Sequence, residues 1–264
     1  MVGSSSIITL IIAMVICFLF PIAFAIYFKL KHKISLKPVF TGVAVFIIFV
    51  LILEQILHFF VLQKGLITNP ILITVYGALA AGVFEEGGRF IAFSTILKDK
   101  REWKDGIAYG IGHGGIEAML VGGFSYLSNL IYSNLINSGM FDTVLGTQLP
   151  EEQLSQLQAL KEALVGLPWT TVMIGAFERI FAFGIQIALT LIVLYAIRNK
   201  KFIYVLVAVL FHALIDFPAA LFQMGILNLY IVETIIFAIF IVSVIFTIKS
   251  RKLFDDPDLR GTEI

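Results

Sequence analysis

Cysteine is almost missing. Cys17 is the only one in 264 residues, which excludes an intrachain disulfide and a cysteine-built zinc cage. Charge is scarce too, at 14% of residues, and it balances to a net +1, which argues against nucleic acid as a partner. Only seven prolines interrupt the chain. The opening "MVGSSSIITL" has no basic segment, and no small-x-small cleavage site follows the first apolar run, so that run reads as an uncleaved first span. No internal repeat or low-complexity tract divides the chain, and 1–264 reads as a single integral-membrane domain.

What is present is apolar. Hydrophobic residues make up 59% of the chain, with 25 Phe and a mean hydropathy of +0.97, too much for a soluble domain. Seven segments reach the roughly 20 residues that cross a hydrocarbon core. They run over 7–28, 38–62, 71–97, 107–136, 168–197, 202–222 and 226–248. The expected fold is therefore all-α, a polytopic helical bundle with seven spans in the cell membrane. Connectors alternate in charge. "KLKHKISLK", "KDKREWKDG", "RNKK" and the tail "KSRKLFDDPDLRGTEI" are basic, whereas the other connectors carry only Lys64 and Lys161. The positive-inside rule then puts the N-terminus outside and the C-terminus in the cytoplasm. The outer loop 137–166 contains "PEEQLSQLQALKEALVGL", whose leucines recur at helical spacing. This suits an amphipathic helix at the interface, either a lid or a surface cover.

Against that apolar background the ionisable residues stand out, because each costs about 2.5–3.5 kcal/mol to insert and is a functional candidate by default. They are Glu54 and His58; Glu85, Glu86 and Arg89; His113 and Glu117; Glu178 and Arg179; His212 and Asp216. At about 1.5 Å per residue from the cytoplasmic end of each span, Glu85 and Glu86 lie about 17–18 Å deep, Glu117 about 16 Å and His212 about 15 Å. His113 at about 10 Å and Asp216 at about 21 Å bracket that layer, with Glu178 deeper still. "HGGIE" and "HALID" each stack a histidine and an acid four residues apart on one helix face. In "EEGGR", Arg89 is within reach of both glutamates and can neutralise one. The glycines of "GALAAG", "EEGG", "YGIGHGG" and "VGG" let helices three and four approach closely, bringing a glutamate toward His113.

"EEGGR", the aromatic-x-x-x-His of "YGIGH" and the His-x-x-x-Asp of "HALID" resemble the motifs of the CAAX-processing and bacteriocin-processing membrane proteases. Length, span count and the "GHGGIE" core most resemble the YhfC group of membrane peptidases, with the PrsW proteases similar at greater distance. The resemblance covers a motif-bearing core over 71–222. Arg89 stands one residue closer to the glutamates than in the CAAX-type pattern, which leaves open whether Glu85 or Glu86 is the working one. Glu117 and Glu178 are acids that this pattern does not require.

The resemblance implies hydrolysis of a peptide bond in a membrane-embedded or membrane-associated protein or peptide. Glu85 or Glu86 suits the base that activates water, His113 would hold the same water, and His212, oriented by Asp216, would donate to the oxyanion. A zinc ion is the second possibility, held by His113, His212 and one of Glu117, Glu178 or Asp216, most simply Glu117. The sequence pulls both ways on metal, since "HGGIE" is not the His-Glu-x-x-His helix of familiar zinc proteases. Arg89 and Glu178 are supporting residues on either account. Glu54 and His58 match no motif and read as packing or pore-lining groups. The rival from another class is a proton-coupled transporter or channel using the same buried Glu and His residues. Transporters often repeat their halves, and nothing in spans one and two mirrors "EEGGR".

Overall fold

A backbone in hydrocarbon has to satisfy its own donors and acceptors, so the long apolar runs wind into helices. The computed structural model describes residues 1–147 and 150–255; residues 148–149 of the expected outer loop and 256–264 of the basic tail lie outside the described residues. The helices are α1 Ser4–His32, α2 Leu36–Ile48, α3 Gln55–Gln63, α4 Pro70–Ser94, α5 Trp103–Glu117, α6 Phe124–Asn137, α7 Phe141–Leu145, α8 Glu151–Val165, α9 Trp169–Arg198, α10 Ile203–Gln223 and α11 Leu229–Ser250. Two π-helical turns, Phe49–Glu54 and Ala118–Gly123, carry α2 into α3 and α5 into α6 without a break. No strand occurs among the described residues. Helix starts follow local chemistry. Asn69 caps α4 by accepting from the Ile71 and Leu72 amides, with Pro70 as first helical residue, and Asn228 caps α11 through the Ile231 amide.

Among the described residues six helices are long and apolar enough to cross a membrane: 4–32, 36–63, 70–94, 169–198, 203–223 and 229–254. These correspond to six of the seven expected spans. The other, expected over 107–136, is helical through α5, the π turn and α6 but is not among the six. The reason is visible in α5. Its residues from Asp105 to Gly115 are all buried, five glycines among them, so it is surrounded by protein and has no need of lipid-compatible side chains.

The chain divides into two compact units, one of Met1–Phe20 with Ala118–Ile180, the other of Pro21–Glu117 with Phe181 onward. In the smaller unit, Leu10 and Ala13 of α1 pack with Val172 and Ala176 of α9, and Val2 packs with Ile136, Phe141 and Leu164. Asn137 clamps the N-terminal backbone, accepting from Val2 N at 2.7 Å and donating to Val2 O at 3.1 Å. The expected amphipathic helix is α8. Leu157, Leu160 and Leu164 point into this core, and Lys161 pairs with Asp142 of α7 at 2.6 Å. That hydrogen bond to Lys161 holds the Asp142 carboxyl below its ordinary range.

In the larger unit the most extensive pairings are α4 with α10 and α2 with α5. Both depend on glycine. A Cβ on Gly112 would fall on the Val39 carbonyl oxygen, and one on Gly82 would lie 2.6 Å from the Val209 carbonyl oxygen. Glycine there is the only residue that lets the backbones meet. Ile185, Leu189 and Val193 of α9 pack with Ala208 and Ile215 of α10 and with Val232 and Ile236 of α11. Outward-facing side chains are apolar, among them Phe40, Ile52, Phe59, Leu210, Leu214 and Val242.

Candidate functional site

Adjacent residues on a helix point about 100° apart, so Glu85 and Glu86 face different neighbours. Glu85 looks toward α5, its Oε2 2.8 Å from His113 Nε2. Glu86 looks toward α10, its Oε1 2.8 Å from His212 Nδ1. The other nitrogen of His212 returns to the centre, 3.6 Å from Glu85 Oε1 and 3.4 Å from Asp216 Oδ2. Glu85 is thus shared by two histidines from two helices. An ionised carboxylate only accepts, so His212 Nδ1 donates to Glu86 and leaves Nε2 as the atom between Glu85 and Asp216.

Arg89, fully buried one turn further along α4, donates to Glu86 and, at 3.3 Å, to Glu85. It therefore serves both glutamates rather than one. It also donates to Gln186 Oε1 on α9. Gln186 uses its amide nitrogen on two carboxylates, donating to Glu85 Oε2 at 3.0 Å and to Glu117 Oε2 at 2.6 Å. Sequence reasoning passed over this residue. The available signal was a lone amide in the apolar run "FGIQIALTLIVLY" of the fifth expected span. His113 is held by aromatic rings, with Tyr109 stacked at 5.9 Å and Phe46 edge-on at 5.2 Å, while its Nδ1 is buried without a partner.

Among the described residues Glu85, His113 and Glu117 each offer a donor atom, all within 4.8 Å of one another. His113 and Glu117 are shared with the expected metal set, and Glu85 stands beside them, while His212 bonds Glu86 through Nδ1. Glu178 belongs to the smaller unit, where it pairs with Arg179 beside it on α9. Every other expected site residue lies in the larger unit.

The model of the YhfC intramembrane metalloprotease family matches residues 16–237, a range that contains the whole cluster. The chain belongs to this family. A relative, the uncharacterized membrane protein YhfC of Bacillus subtilis (strain 168), is 38% identical over 260 residues, covering 96% of this chain and 100% of its own length. No solved structure matches. The YhfC-family chain is a multi-pass membrane protein, as its composition and its six apolar helices require.

In this YhfC-family fold the buried cluster has one half-open side. The Asp216 side chain is 41% exposed and lines a groove of about 560 Å³ between α4 and α10, with Pro70, Thr74, Ala78, Ala219 and Met224. Glu54 and His58 lie elsewhere in the same unit. Glu54 Oε1 is 3.2 Å from His58 Nε2, and His58 Nδ1 is 2.9 Å from the Tyr76 hydroxyl of α4.

Proposed function

We propose that this YhfC-family chain is an intramembrane endopeptidase, hydrolysing a peptide bond of a membrane-embedded or membrane-associated protein. The observation that carries the reading is the sharing of Glu85 between His113 and His212 in a buried cluster of acids. The buried carboxylates of Glu85 and Glu86 share the guanidinium of Arg89, and the negative charge left over is costly away from water unless a cation or protons offset it.

The donor set fits zinc: one imidazole nitrogen and two carboxylate oxygens from three side chains make the three-ligand arrangement of catalytic sites, with a position left for water or substrate. Glu85, His113 and Glu117 would hold the ion, and Gln186, bonded to both carboxylates, would orient them. A zinc ion held there would supply Lewis acidity, polarising a carbonyl oxygen and acidifying water. Glu85 is then a ligand, and proton handling falls to His212. His212 Nε2 takes a proton from the attacking water as its oxygen bonds to the scissile carbonyl carbon. It returns that proton to the amide nitrogen as the C–N bond breaks, leaving a carboxyl group and an amine. Glu86 fixes the ring through Nδ1, and Asp216 stabilises the imidazolium from the groove side. The α4/α10 groove is the substrate entrance, open toward the 64–69 and 224–228 connectors. By the Lys/Arg alternation these connectors are outside, the N-terminus is outside and the C-terminus is cytoplasmic.

The test is zinc content and cleavage measured on the same purified preparations, with substrate found by trapping in native membranes with Glu85→Gln and mass spectrometry. Glu85→Gln and His113→Ala lose both metal and activity, whereas His212→Ala loses activity and keeps the metal. A metal-free preparation that stays active under strong chelation returns water activation to Glu85 itself. Full activity in all three variants ends the mechanism assigned to these residues. Orientation is checked separately, since a cysteine placed at Gln153 should be labelled from outside intact cells. Labelling only after permeabilisation reverses the topology.

A further inference from the structure

Hydrolysis consumes one water for every bond cut, and a peptide lying in the α4/α10 groove would obstruct the only route so far described. A second polar line leads inward on the other side of α4. An open groove of about 630 Å³ between α3 and α4 is walled mainly by apolar side chains such as Leu72, Leu79 and Val83, with Thr68 and Asn69 at its loop end and Tyr76 as the polar group on its wall. From Tyr76 the line continues to His58 Nδ1 at 2.9 Å, and from His58 Nε2 to Glu54 Oε1 at 3.2 Å. Counted from the nearer helix ends at about 1.5 Å per residue, His58 and Tyr76 lie about 8–9 Å in and Glu54 about 14 Å in. Glu54 is 4% exposed, and its Oε2 is buried without a partner. The charged and titratable groups around it are His58 on its own helix, Tyr76 and Glu85 of α4, and His212 and Asp216 of α10. Its own segment, Phe49–Glu54, is π-helical, a local widening that is frequent at functional positions and costly to keep without a use. A buried carboxylate oxygen with no protein partner, at the inner end of a file of hydroxyl and imidazole, is a station for water.

We propose that Tyr76, His58 and Glu54 form a water conduit that supplies the Glu85 cluster from the α3/α4 side while substrate occupies the α4/α10 groove. This rests on the hydrolase reading for its purpose, though its geometry is independent of it. Polarity is what the conduit needs, not charge, which separates it from a proton relay. Accessibility is the direct readout. In a Cys17→Ser background, cysteines placed singly at Glu54, His58 and Tyr76 should react with a charged methanethiosulfonate reagent. Cysteines at Ile52 and Phe59, which face outward on the same helical segment, should not. Equal reactivity at all five positions, or none at 54 and 58, overturns the conduit. Labelling needs no catalysis, so an inactive but labelled protein sinks the hydrolase reading alone, and an active unlabelled one sinks the conduit alone. Should the cysteine variants fail to fold, the pair Glu54→Leu and Glu54→Gln serves instead. Leu should lower kcat with KM unchanged and Gln should restore it, while equal loss in both overturns the proposal.

Discussion

Helices α5 and α11 belong to the same unit and are opposites. Helix α11 has no glycine and turns Tyr230, Phe237, Val242, Ile245 and Ile248 outward, with only four residues buried. Helix α5 has five glycines and is buried on every side from Asp105 to Gly115. By composition α11 is the obvious membrane helix and α5 a doubtful one, yet α5 carries His113 and Glu117. The difference teaches how a membrane protein houses polar chemistry. Besides apolar helices such as α4 and α10 that carry it on their inner face, a helix that bears it can be wrapped in other helices, where close backbone packing replaces hydropathy as what keeps it there.

The hardest blow to that contrast is a methyl group in the wrong place. Gly112→Ala puts its Cβ on the Val39 carbonyl oxygen, where only backbone can yield. It should destabilise at or above the top of the ~1–3 kcal/mol range for overpacking. Gly87→Ala, whose Cβ meets nothing within 4 Å, is the matched control and should be neutral or stabilise by up to about 1 kcal/mol. Thermal unfolding in detergent compares the two, and equal losses would mean that α5 is not packed as described.

A smaller effect is expected from removing the amide that ties α9 to α4 and α5. Gln186→Leu keeps the volume but strips hydrogen bonds from Arg89, Glu85 and Glu117, and should lower zinc affinity or cleavage about 10–100-fold. Unchanged metal content and rate would demote Gln186 to packing. Least of all should matter on α11. Val242→Ala, at a position 59% exposed, trades one lipid-facing apolar group for another and should stay within about 0.5 kcal/mol. A larger loss would reveal a protein contact on that face.

Much of the cluster was readable because helical spacing is strict. The four-residue steps from His113 to Glu117 and from His212 to Asp216, together with depth counted along each span, converge on one layer without any tertiary information. The choice between Glu85 and Glu86 was not readable, since neighbours on one helix differ only in direction, and direction acquires meaning from where α5 and α10 stand. Gln186 escaped because an uncharged amide is cheap enough in a span to look ordinary. Glu178, counted as deeper than that layer, falls in the smaller unit because α9 changes unit near Ile180, which composition does not reveal. The fourth expected span, over 107–136, is helical but not among the six apolar helices, and in its α5 half burial in protein accounts for the scarcity of lipid-compatible side chains.

The mutual hydrogen bonding of the cluster bears on how the protein matures. His113 donates to Glu85, His212 to Glu86, and Gln186 to Glu85 and Glu117, so most of these side chains have a partner within the protein even without an ion, though His113 Nδ1 and Glu86 Oε2 have none. A small zinc finger has no such internal partners and stays unfolded until metal binds. With the zinc site proposed above, helix assembly would not have to wait for metal loading, and the supply of ions rather than the folding machinery would set when the protein becomes active.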